Sequence, residues 1–201
     1  MEKPAQTQYP IYEPLRRRWS PRAFSNRMVA PDELRSLWEA VRWAPSCFNE
    51  QPWSFIVATQ QDGEEFARLL SCLTQGNARW AQHAPVLMVS VAKLYFDQTG
   101  KPNRHALHDV GLALGNLVVQ ATVMGLMVHQ MAGIFPEKVK ELYNIPERFE
   151  PVAGIALGYG GDPDALPEDL RERELAPRSR KPTSDFVYAG RWGQTSPQLI
   201  E

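Results

Sequence analysis

"VGLALGNLVVQATVMGLMV", residues 110–128, decides between two kinds of protein. At the rise of an α-helix the stretch is long enough to cross a bilayer. Its surroundings argue otherwise. Asn116 and Gln120 lie near its centre, Asp109 abuts its start, and neither a second span nor a basic flank accompanies it. The "GLALG" within it matches a membrane-helix pairing pattern by spacing alone. The stretch therefore reads as a helix apolar nearly all round, buried in a core or against a partner subunit. Oligomerisation is a direct expectation from it.

The rest of the chain fits a protein with a full core. With 201 residues, 43% of them hydrophobic, it is expected to form one domain over 1–201, with 161–201 as an extended C-terminal segment. Cys47 and Cys72 are the two cysteines, and the N-terminus does not resemble a basic-then-apolar signal peptide, so the cytoplasm is the expected compartment. A formal net charge of -1 argues against a general nucleic-acid or membrane-surface binder, which needs a broad excess of Lys and Arg.

Helical and strand patterns alternate. "PDELRSLWEAVRWA" opens with Pro31 and two acids and carries Leu34, Leu37, Trp38 and Val41 at helical spacing. Residues 54–59 and 85–92 read as apolar strands, 64–73 and 136–145 as helices, and 151–160 as a last core strand. The Pro- and charge-rich stretch 161–183 reads as extended surface chain.

Two groups of cations stand out against the near-zero balance. One comprises Arg16, Arg17, Arg18, Arg22 and Arg27; the other, near the far end, comprises Arg171, Arg173, Arg178, Arg180 and Lys181. They are either solvated charge runs or two halves of one phosphate site, where guanidinium forks give paired charge-assisted bonds. "RSR" sets Arg178 and Arg180 on one side of an extended chain, and "RWSPR" offers Arg18, the Ser20 hydroxyl and Arg22 in one loop. Two stretches suit the ring of a phosphate-bearing ligand. "APSCFNEQPWSFIV" supplies Ser46, Asn49 and Gln51 in a turn before a strand, and "HQMAGI" places Gly133 after a strand, where backbone can approach a flat ring. Neither a Rossmann nor a P-loop glycine pattern is present.

Taken in order, "RRRWSPRAF", "RWAPSCFNEQPWSFIV", "GNLVVQATVMGLMVHQMAGI", "VAGIALGYG" and "RSRKP" resemble the nitroreductase family of flavoproteins over roughly residues 15–192. The resemblance implies an α+β three-layer sandwich, with a central, mostly antiparallel sheet flanked by helices, in an intertwined homodimer with two FMN sites at the subunit interface. By the same resemblance Arg18, Trp19 and Ser20 hold the phosphate and ribityl chain, Arg22 lies near the flavin pyrimidine, and Arg178 and Arg180 complete the phosphate clamp. Asn77 is the amide partner of the pyrimidine edge. Pro45, Ser46, Cys47 and Asn49 come from the second subunit. Gln130, Met131, Ala132 and Gly133 run along the isoalloxazine, with the Ala132 or Gly133 backbone N–H near N5. Many relatives carry an acid where Ala132 stands, which alters the charge of the site.

The implied activity is FMN-dependent electron transfer from NADH or NADPH, by a ping-pong mechanism, to nitroaromatic, quinone or flavin acceptors. No side-chain acid or base is required as a catalytic group. Two rivals are a flavin-binding or regulatory module without turnover and a nucleic-acid binder using the basic N-terminal segment. His105, His108 and Asp109 could share a helical face, yet without further ligands they read as a helix start rather than a metal site. Cys47 reads as a small packed residue rather than a redox thiol. No metal is expected.

Overall fold

The computed structural model describes residues 1–199; Ile200 and Glu201, the end of the expected domain, lie outside the described residues. In chain order the elements are α1 (Glu13–Arg17), α2 (Pro31–Arg42), β1 (Trp53–Thr59), α3 (Gly63–Leu70), α4 (Gln75–Ala81), β2 (Val86–Lys93), α5 (Ala106–Val123), β3 (Met127–Met131), α6 (Pro136–Tyr143), β4 (Phe149–Gly158) and α7 (Glu168–Leu175). The four strands form one sheet in the order β1-β2-β4-β3, antiparallel at every pairing.

The apolar run of β2 explains the layering. Its residues are buried on both faces, and alternation sends Leu87, Val89 and Val91 to one side and Val86, Met88 and Ala92 to the other. The first side packs against Phe66 and Leu69 of α3, Trp80 of α4, Val139 of α6 and Leu170 of α7. The second packs against Leu37 and Val41 of α2 and the buried face of α5, including Val110, Leu114 and Leu117. Helices cover both faces, so the molecule is an α+β three-layer sandwich with a fully antiparallel centre.

α2 forms where its sequence predicts it: Pro31 takes the first helical position, and the Glu33 carboxylate accepts from the Ala30 N–H at 2.8 Å. α5 is long and apolar enough to span a membrane, but here it lies on the sheet and against α2. Its central amides secure that packing. Asn116 donates to the Ala40 carbonyl at 3.0 Å, and Gln120 donates to the Ser36 hydroxyl at 3.1 Å.

Two expectations from the sequence need correction. The apolar run 110–128 is not one helix: α5 ends at Val123, and Met127 and Val128 already belong to β3. Gly125, at φ +77°, stops it. The Leu126 N–H reaches the Ala121 carbonyl at 2.8 Å and the Gly125 N–H reaches the Thr122 carbonyl at 3.2 Å, a Schellman ending. The stretch expected to be extended also holds a helix, α7. That helix lacks an apolar stripe and buries only Leu170 and Glu174, so its periodicity is invisible in a run of charges.

Candidate active site

The distant cation groups meet. A pocket of about 210 Å³ is lined by Lys3, Arg18, Trp19, Ser20, Arg22, Arg173, Arg178 and Arg180, together with Ala176 and Pro177, and by no Asp or Glu side chain. Four other cations of the two runs are engaged elsewhere. Arg16 pairs with Glu13, Arg17 donates to the Thr122 carbonyl at 2.6 Å, Arg27 stacks on the Tyr159 ring at 3.8 Å, and Arg171 pairs with Asp164.

The electrostatics favour an anion. Burial, and then the neighbouring Arg178 and Arg180, hold the Arg18 guanidinium below its ordinary pKa. Burial and Arg180 do the same to Arg178. Arg18 Nη1 donates to the Ser20 hydroxyl at 3.2 Å, which brings that oxygen to the pocket beside a guanidinium. Trp19, which lines the pocket, is 8% exposed, and its indole Nε1 is buried without a hydrogen-bond partner. Like-charged guanidiniums, a hydroxyl and an unmatched N–H are the donor set that a phosphate ester satisfies.

Beside the pocket lies the end of β3. The His129 ring sits 4.5 Å from that of Trp80, and its Nδ1 is 2.8 Å from the Pro21 carbonyl oxygen. Burial, reinforced by Arg22 and Arg18, pushes its pKa down to about 4, so it is neutral near pH 7. Beyond it Gln130 and Ala132 are exposed, Gly133 is half-buried, and Met131 turns its side chain into the core. The Gly133 carbonyl accepts from the Thr74 N–H and from Asn77 Nδ2, both at 3.0 Å. A Cβ at Gly133 would stand 2.5 Å from Asn77 Nδ2 and 2.6 Å from Thr74 Oγ1, which explains the glycine. Asn77 therefore does reach this strand end.

The remaining predicted residues lie elsewhere. Pro45, Ser46, Cys47 and Asn49 occupy a loop at the opposite end of α5. The Cys47 N–H donates to Asp109 Oδ2 at 3.0 Å, and Ser46 Oγ accepts from the Gln51 N–H at 3.0 Å. Phe48, Asn49 and Gln51 all have positive φ, a strained run for residues other than glycine. Between Asp109 and Thr122, α5 rises about 20 Å. Within one chain the loop is thus seated at the N-terminal end of α5, and the arginine segment, through Arg17, at its C-terminal end.

Sequence reasoning missed Lys3, Glu174, His129 and Asp109 as structural members of these regions. Glu174 is 1% exposed; both its oxygens accept from the Arg22 N–H at 2.9 Å, and Oε1 also accepts from the Ala23 N–H at 3.1 Å. One acid within a run of mixed charges carries no signal that it turns inward. His105 and His108 lie at the start of α5, as expected, and no cluster of three or more His, Cys, Asp or Glu side chains able to hold a metal occurs among the described residues.

A three-layer sandwich carrying a cationic pocket built from both ends of its chain defines an α+β protein made to hold an anionic ligand. The model of the nitroreductase family matches residues 15–86 and 72–159, and the chain belongs to that family. It is 33% identical over 130 residues to the 15.4 kDa protein of the ask 5' region of Mycolicibacterium smegmatis, covering 65% of this chain and 86% of the relative. It is 26% identical over 161 residues to the FMN reductase [NAD(P)H] of Bacillus subtilis, covering 72% of this chain and 63% of the relative. A solved structure described as an oxidoreductase containing FMN superposes with a TM-score of 0.88 at 35% identity, covering 94% of this chain and 96% of that one.

Proposed function

We propose that the cation pocket holds the phosphate of FMN and that the protein is an FMN-dependent oxidoreductase. In this reading NADH or NADPH is the electron donor, and nitroaromatics, quinones or free flavin are the acceptors. The convergence of Arg18 and Arg22 with Arg178 and Arg180 on a pocket free of acidic side chains carries it. When bound, FMN would supply the hydride chemistry that links the nicotinamide donor to the acceptor in a ping-pong cycle.

This chain's own residues bind and orient. Arg18, Arg178 and Arg180 would neutralise the phosphate, Trp19 and the Ser20 hydroxyl would hold the phosphate and ribityl chain, and Arg22 would lie near the flavin pyrimidine. Gln130, Ala132 and Gly133 border the ring, while Asn77 fixes the Gly133 carbonyl and so the set of that backbone. With Ala132 in place of an acid, the strand end adds no charge of its own and suits flat neutral acceptors. Pro45, Ser46, Cys47 and Asn49 reach the ring from a second copy of the chain, which makes the working unit a homodimer. The expected compartment is the cytoplasm, with neither nucleic acid nor membrane as partner.

The test is optical. Purified protein should carry a flavin absorbance band that bleaches anaerobically on adding NADH or NADPH and returns on adding a quinone. A colourless protein that takes up no FMN sinks the reading. A flavin band that neither donor bleaches leaves a binding module without turnover.

A further inference from the structure

The N-terminal segment, which precedes the family match, also enters the anion pocket. Lys3 Nζ donates to the Glu174 carbonyl at 2.6 Å and to the Ala176 carbonyl at 2.5 Å, capping the C-terminal end of α7. It stands 4.9 Å over the Trp19 ring and lines the pocket with Arg18 and Arg180. In return, Arg178 Nη1 donates to the Lys3 carbonyl and, at 3.3 Å, to that of Arg16. The Ala5 N–H closes the strap on the Arg16 carbonyl at 2.8 Å.

We infer that residues 1–6 form a strap over the phosphate subsite, and that Lys3 is a further phosphate-binding residue that ties strap docking to ligand binding. This rests on the reading of the pocket as the seat of the FMN phosphate. An ammonium has three donors. Two are committed to α7, and the third is left beside the pocket that Lys3 lines. Burial is the first cause holding the Lys3 pKa below its ordinary value; the Glu174 carboxylate opposes it, and Arg178 and Arg22 lower it further, so an anion in the pocket would offset the cations around Lys3. The same ammonium holds the carbonyls of Glu174 and Ala176 in place, just ahead of Arg178 and Arg180, so an undocked strap loosens the arginines from two sides. Binding and docking then favour each other reciprocally.

The test compares wild type, Lys3→Met, Lys3→Arg and a chain lacking residues 1–6. Each full apoprotein is titrated with FMN and with riboflavin, which lacks the phosphate, by flavin fluorescence. Lys3→Met should weaken FMN about tenfold and leave riboflavin unchanged, the deletion should weaken FMN at least as much, and Lys3→Arg should recover most of the loss. Hydrogen exchange should show the Ala5 amide slowed by FMN and not by riboflavin. FMN binding equal in wild type and Lys3→Met, or Ala5 exchange indifferent to FMN, overturns the strap while the phosphate site stands. A wild type that binds FMN no better than riboflavin removes the phosphate site itself, and the strap's role with it.

Discussion

At the C-terminal end of α5, Arg17 ties the Thr122 carbonyl to a loop braced from within the chain by Glu174, His129 and the N-terminal strap. At its N-terminal end, about 20 Å away, the buried carboxylate of Asp109 holds a loop with three positive-φ residues and a Phe48 side chain that is 90% exposed. The first end carries unneutralised charge within a finished frame. The second carries strain and exposed aromatic surface. On the function proposed above, the contrast is between an anion subsite built by one chain and a loop that the same chain presents to a second copy. Strain of this kind persists where surrounding structure or a partner makes use of it.

The largest expected effect is at the braced end. Glu174→Ala leaves the Arg22 and Ala23 N–H groups buried without acceptors and should lower unfolding free energy by about 4 kcal/mol, read from the urea midpoint. Glu174→Gln keeps one acceptor oxygen and should lose markedly less. If Glu174→Ala unfolds at the wild-type midpoint, the frame does not depend on this carboxylate and the contrast between the ends collapses.

Next comes the pH dependence of the same end. The His129 pKa falls from 6.5 in the unfolded chain to about 4 in the folded one, chiefly through burial. The unfolded state therefore binds the extra proton between those values. Stability is intact above pH 6.5 and is lost as pH falls toward 4, by about 3 kcal/mol at most. His129→Asn, whose amide can still donate to the Pro21 carbonyl, should flatten that stretch of the stability-pH curve. An unchanged slope would move the acid sensitivity to other groups.

Much of this contrast was legible in the sequence, and its limits are physical. Helical periodicity placed α2, and short apolar runs placed β1, β2 and β4. The two arginine runs read either as solvated charge or as one anion site, and only the fold brings Arg18, Arg22, Arg178 and Arg180 to one pocket. The turn from α5 into β3 was obscured because a buried helix and a buried strand are both continuous apolar runs, with Gly125 the one mark between them. Glu174 and Lys3 gave no local signal. Their roles come from contacts between residues 152 and 171 positions apart, and only the fold creates such contacts.

A smaller effect separates paired from unpaired cations. Arg180→Ala and Arg18→Ala should each weaken FMN by roughly ten- to a hundredfold, about 2 kcal/mol, with little change for riboflavin. The double variant should fall short of the product, because both act on one phosphate. Arg27→Ala is the control, since its guanidinium is spent on the Tyr159 ring. Equal losses for both flavins would return the arginines to the solvated surface.

The smallest change in stability belongs to the loop end, and it gives the sharpest test of the contrast. Asp109→Ala removes the acceptor of the Cys47 N–H, for a loss of about 1 kcal/mol in a fold whose core is untouched. Its consequence for FMN should exceed that figure if the loop serves a site on another chain. Arg180→Ala breaks the anion end and spares the loop; Asp109→Ala does the reverse. When the two variants are unfolded together and refolded, random pairing makes about half of the dimers mixed, and each mixed dimer has one site with both parts intact, so about a quarter of all sites should regain FMN. If each site were built within one chain, every site in the mixture would carry a defect and none would recover. Flavin occupancy of the mixture against the two separate variants therefore decides whether the ends of α5 serve one site or two.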